Sequence, residues 1–464
     1  TTTGSQLYMQ VGDANEVHVV DAALLQLFPT SADDWRDAAL LPLRGLTYSR
    51  MEVRSAGRSF EVQKDVTNKV WRITKPMATR ADNPKLTHLL QQLELWPVRR
   101  FVSDDPQADL EKYGLRPAEM ELAFGEGTND FVSVQFGKAS VEDPTMIYAR
   151  RSSHTNIVLV PKEWMEPLRS AFSELRDRKI ATLVPAAVDS IDITGAESMS
   201  IKRQTNGTWR IEGGKGFLAD SILVTNMLLQ MSELEVVEFE KDVVTDFTTY
   251  GLQMPSLQYT VWTNGPAGTN GNGTTNHMLF RLDVGRAEGT KIYVRRAGED
   301  SVYSLALGDI QQLPSKRYEL RDRGIWEFST NQITKVSVGQ HGLNRDIVRN
   351  PKGDWVLAPG SQGVINPFAV DEALYRLGRM RVERWVGVGA DRLAAFGITD
   401  RSHRISVEVK SGEKTEIYVL RIGDRLSPSR RPYGAAMLDG DAVIFELPVA
   451  VFPSLQSDLS IPAP

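Results

Sequence analysis

The sequence predicts an α+β fold assembled from tandem repeats of antiparallel meander sheets, each followed by an amphipathic helix. Two observations carry this expectation. A set of markers recurs in one fixed order along the 464 residues: Trp71-Arg72-Ile73 returns as Trp209-Arg210-Ile211 and as Trp355-Val356-Leu357, at intervals of 138 and 146 residues. Such self-similarity is the signature of an internal repeat. Within each copy, segments of period two give way to segments of helical period across short connections, which favours antiparallel pairing with the helices on one face.

Leu46 to Val53, Phe60 to Val66 and Val70 to Lys75 alternate apolar and polar residues, as half-buried strands do. Leu86, Leu89, Leu90 and Leu93 then fall on one helical stripe. Further strands are expected near Glu119–Phe124, Phe131–Phe136, Met146–Arg150 and Ile157–Val160, with a helix over Trp164–Leu175. Each unit thus reads as two meander-plus-helix halves. Thr263 to Asn276 (TNGPAGTNGNGTTN) has no pattern and reads as a flexible surface insertion.

The remaining markers set the unit boundaries. Eleven positions after each tryptophan stand Asp82, Asp220 and Asn366, and nineteen further on Phe101, Phe239 and Trp385. Tyr113-Gly114-Leu115, Tyr250-Gly251-Leu252 and Phe396-Gly397-Ile398 follow. Next come tyrosine strands, Ile147 to Arg151 and Ile292 to Arg296, with Ile417 to Arg421 as the third echo. Arg176-Asp177-Arg178 and Arg321-Asp322-Arg323 each begin 28 residues after the tyrosine, the distance that separates Tyr8 from Arg36-Asp37. The chain therefore opens in mid-repeat, with a partial unit at 1–44 and full units at 45–180, 181–325 and 326–464.

Each marker has a structural role. Asp82, Asp220 and Asn366 precede apolar helical runs, with Pro84 and Pro367 in the first turn, and read as N-caps. Asn can replace Asp as a cap but hardly as a general base. The Tyr-Gly-Leu triplets read as the ends of short helices, their glycines taking the left-handed conformation and Pro117 and Pro255 stopping the helix. The tryptophans, on alternating strands, read as core residues, with a ligand platform as the alternative. The Arg-Asp pairs read as helix ends, with an anion clamp as the alternative.

Composition narrows the chemistry. Lys+Arg 54 against Asp+Glu 59 gives a net charge of −5, which supplies no basic field for nucleic acid. The absence of cysteine excludes disulfides, thiol nucleophiles and thiolate metal sites. No apolar run reaches the roughly 18 residues of a membrane span. The six histidines, His18, His88, His154, His277, His341 and His403, form no local metal motif. Pro359-Gly360-Ser361-Gln362-Gly363 only loosely resembles a nucleophile elbow. Gly213-Gly214-Lys215-Gly216 reads as a turn rather than a phosphate cradle. The acidic groups Asp104, Asp105, Asp109, Glu111 and Glu233, Glu235, Glu238, Glu240, Asp242 read as solvated surface. No catalytic, cofactor-binding or metal-ligating residue is assigned, and no cofactor is implied.

The order of these motifs, namely Trp-x-Ile, Ala81-Asp82 and Ala219-Asp220, Asp109-Leu110 with Tyr113 to Leu115, Gly137-Lys138, Tyr148-Ala149-Arg150 and Leu175 to Asp177, resembles the bacterial domain-of-unknown-function 4340 family in tandem copies. The third unit departs from it at Asn366, Phe396 and Leu420, and Ser457-Asp458 stands in place of the last Arg-Asp. The resemblance implies an exported protein held by an N-terminal membrane helix and associated with gliding-type ABC transporter components. It supplies no catalytic residues. The expectation is a non-catalytic extracytoplasmic (periplasmic) interaction scaffold or accessory subunit of an ABC-type transport complex, its partners being transporter proteins in the membrane and not nucleic acid. The alternative is an extracytoplasmic glycan- or peptide-binding module. Because the strand around Tyr8 corresponds to one inside a meander, further sequence upstream, a partial unit and a membrane helix, is also expected.

Overall fold

In the computed structural model, which describes residues 4–28, 30–213, 216–266 and 274–461, the chain divides into two units, Thr1–Arg178 and Lys179–Pro464. Its architecture is α+β, with antiparallel sheets throughout.

The first unit opens with a separate hairpin, β1 (Gln6–Gln10) and β2 (Val17–Asp21). A nine-stranded sheet follows, built from β3 (Arg50–Ser55), β4 (Arg58–Lys64), β5 (Trp71–Lys75), β6 (Thr79–Arg80), β7 (Arg100–Ser103), β8 (Met120–Glu126), β9 (Asn129–Ala139), β10 (Met146–Arg151) and β11 (Ile157–Pro161). Its order is β6-β5-β4-β3-β8-β9-β10-β11-β7. The two halves expected from the pattern are therefore one continuous sheet. Their first strands, β3 and β8, pair side by side, with Met51 opposite Phe124 and Val53 opposite Leu122. Helix α1 (Asn83–Glu94) turns Leu86, Leu89, Leu90 and Leu93 onto this sheet, in one core with Met51, Val62 and Ile73. Burying each such side chain contributes about 1.5–3 kcal/mol. The helix expected over Trp164–Leu175 is instead broken at Ser170 into α2 (Met165–Arg169) and α3 (Ala171–Glu174).

In the second unit, β12 (Ser190–Thr194), β13 (Ser198–Arg203), β14 (Trp209–Glu212), β15 (Phe217–Ala219), β16 (Glu238–Lys241), β17 (Leu257–Pro266), β18 (Thr274–Glu288), β19 (Lys291–Arg296) and β20 (Val302–Ala306) form a sheet. Its order, β15-β14-β13-β12-β17-β18-β19-β20-β16, has the same connectivity as the first. Helices α4 (Ser221–Glu233) and α5 (Leu307–Gln312) occupy the places of α1 and α2. Thr263 to Asn276 is not patternless throughout: Thr263 pairs with His277 and Asn264 with Asn276, extending the ladder between β17 and β18. Its tip, residues 267–273, lies outside the described residues, as do Gly214 and Lys215.

The third sheet holds β21 (Ile333–Gln340), β22 (Leu343–Arg349), β23 (Trp355–Leu357), β24 (Arg384–Val388), β25 (His403–Ser411), β26 (Lys414–Leu426), β27 (Pro432–Leu438) and β28 (Asp441–Glu446), in the order β23-β22-β21-β25-β26-β27-β28-β24. Helices α6 (Pro367–Gly378) and α7 (Phe452–Asp458) accompany it. This order corrects the third tyrosine marker. Tyr418 lies on β26, the counterpart of β9, and packs on Trp326 and Phe328 with ring centroids 5.4 and 5.3 Å away. The counterpart of Tyr148 is Tyr433 on β27, edge-on to Phe396 at 4.9 Å, as Tyr148 is to Tyr113 at 4.8 Å and Tyr250 to Tyr293 at 5.1 Å.

The caps form as expected. Asp82 accepts from the Lys85 N–H, Asp220 from those of Ile222 and Leu223, and Asn366 from those of Phe368 and Ala369. Gly114, Gly251 and Gly397 take φ of +68°, +69° and +73°. Gly251 and Gly397 end 3-10 turns, but the segment before Gly114 is a run of hydrogen-bonded turns and not a helix. Trp71, Trp209 and Trp355 are buried, each under a cation from the neighbouring strand: Lys64, Arg203 and Arg349.

The Arg-Asp pairs follow short helical turns. Arg36 and Arg321 are the C-caps of the 3-10 turns Asp33–Trp35 and Arg317–Leu320, and Arg176 stands next to Leu175, the C-cap of α3. The last two also join strands. Arg176 bridges Ala81 and Arg321 bridges Ala219 in β-fashion. The flanking bonds, Asp82 N–H to Leu175 O and Asp177 N–H to Arg80 O, recur as Asp220 N–H to Leu320 O and Asp322 N–H to Leu218 O. Leu-Arg-Asp thus lies along the chain that leads into each capped helix, which satisfies backbone groups that the short strands β6 and β15 would leave unpaired.

Candidate functional site

Three places on the molecule combine exposure or charge in a way that calls for a function, and the N-terminal hairpin is the first. Tyr8 faces Val19, eleven positions on, just as Tyr148 faces Leu159 and Tyr293 faces Ser304. The hairpin is therefore the counterpart of β10–β11 and β19–β20. In those pairs the corresponding face is covered: Ile157, Leu159, Val302 and Ser304 are at most 2% exposed. A Tyr-Gly-Leu segment lies across it, with Leu252, Phe247 and Val244 packed on Val302. On the hairpin Tyr8, Val17 and Val19 are 66%, 59% and 54% exposed. The Ala22 N–H bonds to Ser5 O, so by the alternation of an antiparallel ladder the backbone groups of Tyr8 and Gln10 point to the outer edge of β1. Leu25, Leu27 and Trp35, further along the chain, are exposed as well.

Charge is concentrated at the second place, on the first sheet. Arg50, Glu52 and Glu61 are at most 5% exposed. Glu52 accepts from Arg50 at 2.9 Å, Arg54 at 2.5 Å, Ser59 at 2.6 Å and Lys75 at 2.9 Å. Burial alone would raise its pKa. The bonds from Arg54, Ser59 and Lys75 outweigh that and bring it down to about 2. Glu61, against Lys75, Thr74 and Gln63, is likewise lowered in spite of its burial. Asp130 closes the network on Arg50 and Arg54. Each acid is met by a cation, so the arrangement locks strands together and holds Glu52 and Glu61 as carboxylates.

A groove of about 1000 Å³ in the first unit, between the β3–β4 turn and α2–α3, is the third place. Its floor is apolar and its rim basic.

The motifs examined for chemistry find structural partners. Ser361 Oγ accepts from the Asp346 N–H at 2.9 Å inside a turn. Asp104 pairs with Arg36, Glu235 with Lys179 at 2.9 Å, and Glu238 with Lys291. His403 places Nε2 2.6 Å from Leu459 O, and burial lowers its pKa. Among the described residues no three His, Asp or Glu side chains converge as a metal site, and no helix is long and apolar enough to cross a membrane. Sequence reasoning pointed to the edge of the Tyr8 strand but not to its apolar face, and it did not single out the Glu52 network or the groove. Alternation in β3 marked Glu52 and Arg54 as outward polar positions, and only strand order reveals that they meet Glu61, Lys75 and Asp130.

The family described as Domain of unknown function (DUF4340) matches residues 1–69, 71–212 and 209–386, and the chain belongs to it. The second and third matches begin at Trp71 and Trp209, inside the sheets. No curated protein matches the chain.

Proposed function

We propose that this protein is a non-catalytic extracytoplasmic interaction scaffold or accessory subunit of an ABC-type transport complex, assembled from tandem meander-and-helix repeats and held at the membrane. The observation that carries the scaffold reading is the open face of the β1–β2 hairpin. The same face is covered by an aromatic Tyr-Gly-Leu segment in β10–β11 and β19–β20. Among the described residues this face is exposed and apolar, and such a surface takes up a further polypeptide segment. The partner it fits offers apolar side chains and an edge-on aromatic ring for Tyr8. The transport role rests on the family resemblance.

The test is affinity purification of the protein from its native membrane, with partner identification, comparing wild type with a Val17→Asp, Val19→Asp variant. Transport-complex components should accompany the wild type and be lost from the folded variant. Wild-type material free of any such component overturns the reading.

A further inference from the structure

The tandem copies differ at one place in a way that points to a ligand. In the first unit the groove between the β3–β4 turn and α2–α3 has a floor of Val53, Phe60, Met120 and Leu168, all at most 6% exposed. Its lining includes three basic side chains, Arg58, Lys75 and Arg169, and no acidic one. Lys75 is engaged by Glu52 and Glu61, and Arg169 by Glu119 and Glu166. Arg58, exposed at the rim, has no ion pair among the described residues.

The second sheet treats the same place differently. Arg317 stands four residues before Arg321, as Phe172 stands four before Arg176. Its guanidinium donates to Gly213 O, four residues after Trp209, where the first copy has Lys75 four after Trp71. Its backbone N–H donates to Glu197 in the β12–β13 turn at 3.2 Å. Arg317 thus spans the gap that Phe172 leaves open. A smaller cavity of about 410 Å³ remains there, with the acids Glu197 and Asp441 beside Arg317 and Arg321. Of these two sheets it is the first that combines an open apolar floor with a cation lacking an ion pair among the described residues.

We propose that the groove of the first unit binds an aliphatic carboxylate, its hydrocarbon chain on the Val53–Phe60–Met120–Leu168 floor and its carboxylate on the Arg58 guanidinium. The volume suits a small ligand. Apolar burial supplies the affinity, and a charge-assisted guanidinium–carboxylate pair selects the anion. This inference is independent of the docking role of the hairpin.

Calorimetric titration of the full chain with decanoate, below its micelle concentration, and with 1-decanol tests it. Decanoate should bind saturably with one site and at least tenfold more tightly than decanol. Arg58→Ala should weaken decanoate about tenfold and leave decanol unchanged. Phe172→Arg, which copies the second sheet, should abolish binding of both while the unfolding midpoint is kept. Should that variant fail to fold, Arg58→Glu, at an exposed position, must still lose decanoate selectively. Absence of saturable decanoate binding, equal affinity for decanol, or full decanoate affinity in Arg58→Glu overturns the proposal.

Discussion

Asp220 is where a helix cap and an ion pair share one carboxylate, and the two contributions can be separated. One oxygen accepts from the N–H groups of Ile222 and Leu223, and the other receives Arg323 at 2.8 Å and Arg381 at 3.1 Å. The carboxyl is 2% exposed, and despite its burial Arg323 holds its pKa below the ordinary value. Loss of a cap costs about 1 kcal/mol. Breaking a fully buried pair costs about 3–5 kcal/mol. Arg323 and Arg381 are 26% and 55% exposed, so water already screens them, and roughly 1–2 kcal/mol is the expected share. Asp220→Asn keeps the cap, as Asn366 does for α6, and should lose only that share. Asp220→Ala should lose about 2–3 kcal/mol, the two shares together. Guanidinium unfolding of the full chain, with hydrogen exchange of the first-turn amides of α4, reads both effects. Equal losses for Asn and Ala would show that the cap contributes nothing, and an unchanged Asn variant would remove the ion pair from the account.

Three further outcomes follow from the same geometry. Glu52 is lowered from 4.5 to about 2 in the folded chain, so the unfolded state binds more protons as pH falls from about 4.5 to 2. Stability on the order of 3 kcal/mol is then lost across that window, and Glu52→Gln should flatten the pH dependence seen in acid titrations followed by calorimetry. Trp71→Ala and Trp209→Ala, each removing a buried ring, should destabilise by roughly 3–5 kcal/mol; unchanged melting temperatures would instead make the rings exposed platforms. A Cβ at Gly285 would sit 2.2 Å from Tyr250 O, so Gly285→Ala should force the Tyr-Gly-Leu segment off the sheet and lower the melting temperature by several degrees, whereas Gly289→Ala, with open space around it but φ of +62°, should show only the smaller backbone penalty.

Local chemistry was legible in the sequence where it acts over a few residues. The caps at Asp82, Asp220 and Asn366, the left-handed glycines and the leucine stripe of α1 are each decided within one helical turn, and each forms as expected. What escaped was decided by strand order. Tyr418 and Tyr433 are both strand tyrosines in the third copy, and only the pairing of β27 with β28 identifies Tyr433 as the one facing Phe396. Gly137 was marked only as part of the Gly137-Lys138 motif and Gly423 not at all, yet a side chain on either, or on Gly285, would strike the carbonyl of Tyr113, Phe396 or Tyr250 at 2.5 Å or less. The hairpin face around Tyr8 escaped for a similar reason: its exposure is visible only against the buried counterparts Leu159 and Ser304.

Two of the recurring markers turn out to be one device, which bears on the reading of the arginines as anion clamps. Arg36 stacks on Phe101 with its guanidinium carbon 3.7 Å from the ring centre and pairs with Asp104. Arg321 lies 4.8 Å from the Phe217 ring and 5.9 Å from that of Trp385, pairs with Asp439, and offers its carbonyl to the Trp385 indole at 3.0 Å. Phe101 and Trp385 are the same marker in different copies, each nineteen residues beyond a cap, and the arginine it seats comes from the copy before. Cation–π contact and an acid together occupy both faces of use of the guanidinium. An incoming anion would have to displace a carboxylate already in place. For Arg36 and Arg321 the distant aromatic and the acid therefore form one contact with the guanidinium, and neither arginine is a free cation awaiting an anion.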